Sequence, residues 1–201
     1  AWDEWPSSNL GDQKILVVVG EHRPFTDRQQ AALDSFCENH NAVVYVNHLS
    51  NCSGKYSLQA NMLVSCGGFA KVKPDILITI GGQTGDYPIY GALCNMGAGE
   101  HWRVAEDGAY VDTYDHLTKI FECPDYFFFE KMAQNSTCSH SYYEEWKALN
   151  DTINFDVELP MSNLYVAQQM HKRVPHNSIM NFAILNSLRC WSYFPLDPSI
   201  Q

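Results

Sequence analysis

The sequence predicts an α/β fold: an open, mostly parallel sheet with helices on both faces. Short apolar runs rich in valine and isoleucine occur at 14–19, 42–46 and 75–80. Two of these runs end directly at a glycine, as buried parallel strands do at the ligand-facing edge of such a sheet. Helix-like segments separate the runs, and strands that alternate with helices indicate parallel pairing through right-handed crossovers. We therefore expect a Rossmann-like architecture.

The predicted strands are apolar runs that are too short to be helices. We expect them at 14–19, 42–46, 75–80, 101–104 and 119–121. Helices should lie between them. Thr26 or Asp27 can cap the first helix, in which Ala31, Leu33 and Phe36 follow a helical spacing. Further helices are predicted at 56–69, which two glycines end, at 87–96 after a glycine-rich turn, and at 124–132.

The chain divides into four predicted segments. These are a linker at 1–12, the Rossmann-like domain at 13–133, a helical linker at 134–158 and the truncated start of a further domain at 159–201. The helical linker carries a polar patch followed by a helix at 142–152. In the last segment Ser162 can cap a helix at 163–173, and a strand is expected at 179–185. One helix and one strand are too little for a domain, so we expect the natural protein to continue.

Charge and cysteine content exclude several classes of function. The formal net charge is −10 and no basic stripe is present, which argues against nucleic acid and anionic membrane surfaces as partners. No apolar run approaches the roughly 20 residues that span a bilayer. The seven cysteines are widely spaced without a C-x-x-C pair, so neither a metal site nor a disulfide framework is expected. Reduced, mostly buried thiols in a cytoplasmic protein fit this pattern.

Three polar loops follow strands and should meet at one edge of the sheet. Their candidate ligand-binding residues are Glu21, His22 and Arg23; Asn47 and His48; and Gly81, Gly82, Gln83, Thr84 and Gly85. Backbone N–H groups of the glycine turn could approach a phosphate at the start of the next helix. The turn matches neither G-x-G-x-x-G nor the P-loop pattern, and a tight turn without a ligand explains it equally. The charged loops could likewise be solvated loops with local ion pairs.

These features resemble thiamine-diphosphate-dependent enzymes of the acetolactate-synthase type, and among them the MenD family (2-succinyl-5-enolpyruvyl-6-hydroxy-3-cyclohexene-1-carboxylate synthase). The turn at 81–85 is similar to a Gly-x-x-x-Thr-Gly-like turn of that family's central domain. The strand and acidic turn at 102–108 are similar to the element that comes next. Asn186 and Ser187 match a turn near the start of the diphosphate-binding domain, which makes them, with Arg189, further binding candidates.

Two positions depart from the family pattern. The family carries a substrate-binding lysine directly after Thr-Gly, where this chain has Asp86. It also carries an arginine four residues after the serine of its Asn-Ser turn, where this chain has Trp191, and Arg189 is the nearest arginine. The departures indicate either a different substrate specificity or a different register of the match.

The resemblance implies a fragment of a cytoplasmic, homo-oligomeric enzyme. In such enzymes thiamine diphosphate, held with magnesium, decarboxylates a 2-oxo acid and forms a new C–C bond. The family's catalytic glutamate and magnesium motif lie in other domains, so the resemblance implies no catalytic residue in this chain. The remaining domains of the parent protein are then its partners.

Two other interpretations stay open. The first is a binding module that holds a flavin or an adenine nucleotide at 81–85. The second is a free-standing small α/β enzyme that acts through His22, Arg23 and His48.

Overall fold

A single parallel sheet forms the centre of the molecule. The structure is a computed structural model and describes residues 5–97, 99–133, 139–183 and 185–201. Within these residues the strands are β1 (Ile15–Val19), β2 (Ala42–Tyr45), β3 (Ser57–Leu58), β4 (Ile76–Ile80), β5 (Glu100–Val104) and β6 (Leu117–Phe121). They are hydrogen-bonded in the order β3-β2-β1-β4-β5-β6, and every pair is parallel. The order of the strands therefore reverses between β1 and β4, which places the topological switch point of the sheet there.

Helices cover both faces of this sheet. They are α1 (Asp27–Asn39), α2 (Asn61–Ser65), α3 (Tyr87–Cys94), α4 (Asp125–Met132), α5 (Ser141–Asn150), α6 (Asn163–Met170) and α7 (Asn186–Trp191). Short 3-10 helices follow α2 at Gly68–Lys71 and α6 at His171–Arg173. The predicted fold class is thus confirmed.

The two faces of the sheet bury separate clusters of apolar side chains. Because side chains alternate along a strand, Ile15, Val17 and Val19 of β1 pack in the cluster that includes α1 and α4. Leu16 and Val18 belong to the opposite cluster, which includes α2, α3 and α5. All five residues of β1 are buried, as expected for a central strand covered on both sides.

Local sequence explains where α1 begins. Thr26 and Gln29 form a reciprocal capping box, in which each side chain bonds the backbone N–H of the other residue. Ala32, Leu33, Phe36 and Cys37 then present one buried stripe to the sheet. The predicted helix start at Thr26 or Asp27 is confirmed.

Helix α5 packs on the sheet although it lies in the segment predicted as a helical linker. Tyr142 and Trp146 are fully buried in the second cluster. The Tyr142 backbone N–H donates to Asn41 Oδ1 at 2.8 Å, and its hydroxyl donates to the Val72 carbonyl at 2.6 Å. Residues 134–138 of the predicted linker lie outside the described residues. The predicted domain boundaries stay predictions.

The helix predicted at 56–69 is wrong over much of its length. The Val44 N–H donates to the Tyr56 carbonyl at 3.0 Å and the Val46 N–H donates to the Leu58 carbonyl at 3.1 Å. This part therefore forms β3, a strand that the sequence did not predict, and pairs with β2. Only Asn61–Ser65 is α-helical. The apolar spacing that suggested a longer helix is also compatible with a strand followed by a helical turn.

The strand predicted at 179–185 is not formed in the described residues. The Met180 N–H donates to the Gln201 carbonyl at 2.7 Å and the Gln201 N–H donates to the Ser178 carbonyl at 3.0 Å, whereas the Ala183 and Leu185 carbonyls accept from Leu188 and Arg189 of the following helix. An apolar run becomes a strand only beside a neighbour that continues the ladder. Asn186 and Ser187, expected in a turn, instead begin α7.

Candidate functional site

The three polar loops predicted at the carboxyl edge of the sheet do meet. The His22 N–H donates to the Leu49 carbonyl at 2.9 Å, which joins the loops after β1 and β2. The Glu21 N–H donates to the Gln83 carbonyl at 3.0 Å, and Asn47 Nδ2 donates to the Thr84 carbonyl at 2.7 Å, which joins both to the glycine turn after β4. Hydrogen bonds within the protein therefore hold the loops after β1, β2 and β4 together at one edge of the sheet.

The switch point between β1 and β4 is closed by backbone contact. The Gly20 N–H donates to the Ile80 carbonyl at 3.0 Å, and the Gly82 N–H donates to the Glu21 carbonyl at 2.8 Å. A Cβ atom on Gly20 would lie 1.9 Å from the Gly82 carbonyl oxygen, so only glycine permits this approach. The N–H groups of Glu21 and Gly82 are thus used within the protein and are not free to bind a phosphate.

An acidic side chain lies at the start of α3, where a phosphate would bind. Asp86 is the residue that precedes the helix, and its carboxyl group is buried. It accepts hydrogen bonds from the Tyr45 hydroxyl and, at 2.6 Å, from Asn61 Nδ2. Burial raises the pKa of Asp86 despite these hydrogen bonds. A second anion beside this carboxyl group would be repelled, which disfavours phosphate binding here.

His22 connects its loop to α4. Its Nε2 atom lies 3.1 Å from Asp125 Oδ2, and its Nδ1 atom lies 2.7 Å from the Arg23 carbonyl oxygen. The hydrogen bond to Asp125 is the main reason that the pKa of His22 is raised. Both ring nitrogens therefore have protein partners, while Glu21 and Arg23 beside it are exposed.

His48 binds the C-terminal part of the chain. Its Nε2–H donates to the Trp191 carbonyl at 2.8 Å, and its ring stacks on Phe182 with centroids 5.4 Å apart. Burial lowers the pKa of His48, so its imidazole is neutral at physiological pH. The side chain predicted as a ligand group is thus an anchor for a neighbouring segment.

Helix α7 and the residues after it cover the edge that the loops form. Gln59 Nε2 donates to the Ser192 carbonyl at 2.7 Å, and the Ser65 and Tyr193 hydroxyls lie 3.2 Å apart. Gly85 has a φ of +63°, and a Cβ atom there would lie 2.7 Å from a methyl carbon of Leu188. The glycine therefore serves both a left-handed turn and the close approach of α7.

The predicted candidates in α7 take different positions. The Arg189 guanidinium lies 4.4 Å from the centre of the Tyr87 ring, beside a cleft of about 400 Å³ that Asp86 also lines. Asn186 is exposed and Ser187 is half-buried in the first turn of α7. Sequence reasoning missed Tyr45 and Asn61 as partners of Asp86, and a tyrosine inside an otherwise aliphatic strand was the available signal.

Other classes of site find little support in the described part of the chain. No group of three or more His, Cys, Asp or Glu side chains is placed there to hold a metal ion. Of its six cysteines only Cys37 is fully buried, so the expectation of mostly buried thiols is wrong. No described helix has the length and apolarity that crossing a membrane requires.

One known protein is similar to part of this chain. No family model matches it. The chain is 29% identical over 124 residues to the 2-succinyl-5-enolpyruvyl-6-hydroxy-3-cyclohexene-1-carboxylate synthase of Phocaeicola vulgatus, a match that covers 61% of this chain and 22% of the relative. The chain thus spans about a fifth of that protein's length. The match agrees with the resemblance seen in the sequence motifs.

Proposed function

We propose that this chain is the central domain of a MenD-like thiamine-diphosphate-dependent enzyme, with the start of its diphosphate-binding domain, and that its own role is structural. One observation carries the proposal. The carboxyl edge of the sheet, where a Rossmann-like fold ordinarily binds its ligand, is occupied by residues 186–194 of the same chain. Because the carboxyl edge of the sheet contacts residues 186–194, it can hold the following domain in place, which is the role expected of a structural domain.

The proposed activity of the whole protein is decarboxylation of a 2-oxo acid with formation of a C–C bond. Thiamine diphosphate and magnesium would supply that chemistry. The residues at the carboxyl edge do not fit that cofactor well: the edge presents the Asp86 carboxyl group, and the N–H groups of Glu21 and Gly82 bond to the protein. Within the proposal, the catalytic groups belong to other domains of a cytoplasmic homo-oligomer.

The structure gives less support to the two alternatives. A flavin or nucleotide at the glycine turn would have to displace the hydrogen bonds between Glu21, Gly82 and Gln83. A free-standing enzyme acting through His22 and His48 would have to free imidazoles that are bonded to Asp125 and to the Trp191 carbonyl.

The natural coding sequence on both sides of this chain tests the proposal. We expect a pyrimidine-binding domain before it and a Gly-Asp-Gly…Asn motif after it, and thiamine-dependent decarboxylation by the complete protein. The 201-residue chain alone should show none. Decarboxylation by the isolated chain, or flanking sequence without these features, would refute the proposal.

A further inference from the structure

A cavity of about 650 Å³ lies next to the carboxyl end of β2. One side is formed by the loops after β1 and β2 with the start of α1, and the other by residues from 180 to 201. Its volume is typical of small-molecule sites, and such sites often lie where two parts of a protein meet at the carboxyl edge of an α/β sheet. The contacts that dock α7 on the edge leave this space open.

Much of the cavity wall is apolar and partly aromatic. Phe25 and Val46 contribute from the loops after β1 and β2, and Met180, Phe182, Leu196 and Ile200 contribute from the C-terminal residues. Phe25 packs against His22 at 4.6 Å between ring centroids, and Phe182 is held between His48 and Trp191. The Phe25 and Phe182 side chains are thus held in place by their neighbours, and they suit contact with an apolar group of a ligand.

The charged side chains that line the cavity are acidic. Asp27 and Asp197 both contribute to the wall, whereas no lysine or arginine does so among the described lining residues. Hydrogen bonds from Ser199 are the main reason that the pKa of Asp197 is lowered to about 2, so this carboxylate is ionised at neutral pH. His176 Nδ1 lies 3.1 Å from Asp197 Oδ2 and is a further neighbour of this carboxylate.

Two side-chain amides on the cavity wall already donate to carbonyl groups of the protein. Gln59 Nε2 donates to the carbonyls of Ser192 and Phe194, and Asn51 Nδ2 donates to the His22 carbonyl. The start of α1 is closed by the Thr26–Gln29 capping box, and Asp27 adds a negative charge in its first turn. Gln30 Nε2 is buried without a hydrogen-bond partner, so a carboxylate or phosphate ligand would find this amide donor but no lysine or arginine among the described lining residues.

We propose that this cavity binds a small organic cation, an amine attached to an apolar group, with the ammonium facing Asp27 and Asp197 and the apolar group against Phe25 and Phe182. Ammonium groups are attracted both to carboxylates and to aromatic faces, and here the two occur in one cavity. The proposal goes beyond the structural role above and does not depend on it.

Three probes of similar shape and different charge test the proposal on the complete chain. They are 2-phenylethylamine, 2-phenylethanol and 3-phenylpropionate, each titrated calorimetrically at low and high salt. The amine should bind most tightly and the carboxylate least tightly, and added salt should weaken only the amine. Absence of amine binding at millimolar concentration, or equal binding of the anion, would overturn the proposal.

Variants that replace a lining aspartate with asparagine then test whether the amine binds in this cavity. Asp27→Asn and Asp197→Asn should each weaken amine binding by about threefold and leave binding of the alcohol unchanged. Asp12→Asn, which neutralises an exposed carboxylate outside the cavity, is the matched control and should change neither. Circular dichroism confirms that each variant is folded. Unchanged amine affinity in both cavity variants would contradict the assignment.

Discussion

The sheet unit, which comprises strands β1–β6 and helices α1–α5, and the C-terminal segment, residues 155–201, are held in place differently. Strands and helices of the sheet unit bury two apolar clusters of their own. In the C-terminal segment the large side chains Val157, Met161, Val166, Met170, Ile179 and Leu185 are all exposed, while few, such as Leu188 and Phe194, are buried. The sheet unit is therefore stabilised by its own core, whereas the C-terminal segment depends on docking to the carboxyl edge.

The largest expected effect comes from removing a core side chain of α5. Trp146 is fully buried, so Trp146→Ala should lower the free energy of unfolding by about 3–5 kcal/mol, through lost burial and the cavity left behind. Urea unfolding followed by circular dichroism measures the change.

Met161→Ala is the matched truncation in the C-terminal segment. Met161 is 82% exposed, so the free energy of unfolding of the Met161→Ala variant should match that of the natural chain within about 0.5 kcal/mol. If the two variants were equally stable, α5 would not belong to the core of the sheet unit.

The second effect tests the buried hydrogen bonds beside the glycine turn. Tyr45→Phe removes the hydroxyl that donates to Asp86, so the buried carboxyl group loses a partner and the free energy of unfolding should fall by about 2 kcal/mol at neutral pH. Because burial already raises the pKa of Asp86, stability falls as pH rises from the ordinary value of this group toward the raised one.

Loss of the Tyr45 hydroxyl should raise the pKa of Asp86 further and extend that fall in stability to higher pH. Unfolding in urea across a pH series measures both effects. Tyr110→Phe is the control, since Tyr110 is 74% exposed, and a similar loss of stability there would contradict the explanation.

A third variant separates docking from folding. Gln59→Ala removes the amide that donates to the Ser192 carbonyl, and we expect docking of α7 to weaken by about 1 kcal/mol. Hydrogen exchange should accelerate in 186–194 but stay unchanged in β1 and β4. The same acceleration throughout the sheet would show that the two regions unfold together.

The smallest effect concerns pH and His22. The pKa of His22 is raised above its ordinary 6.5, so its contribution to stability is complete below that value and is lost as pH rises through the raised pKa. His22→Gln should therefore cost under about 1 kcal/mol near pH 6 and less near pH 9. Urea unfolding of both proteins at each pH gives the difference, and a cost that grew with pH would contradict the ion pair with Asp125.

Local patterns predicted most of the sheet unit. The apolar runs of β1 and β4 and the capping residue Thr26 depend on near neighbours in sequence, and each was placed within a residue or two. The strand Ser57–Leu58 was missed because two residues of pairing leave no periodic pattern. The expected strand at 179–185 failed because strand formation depends on a neighbouring strand, which one sequence does not reveal.

The meeting of the candidate loops was predicted, while a ligand-binding role of their residues stays a prediction. Topology correctly indicated that the loops after β1, β2 and β4 meet at one edge. The partners of the side chains could not be predicted, since the contact of His22 with Asp125 spans about a hundred residues and that of His48 with Trp191 spans more. Long-range contacts of this kind depend on packing and not on local spacing.

The most direct test of the structural role measures ligand binding and backbone exchange together. The chain would be titrated with FAD, ADP and thiamine diphosphate while amide hydrogen exchange is followed in 81–85 and 186–194. If the carboxyl edge is a docking surface for α7, none of the three should bind or change exchange in either segment. Stoichiometric binding of any one of them with protection of 81–85 would contradict this account.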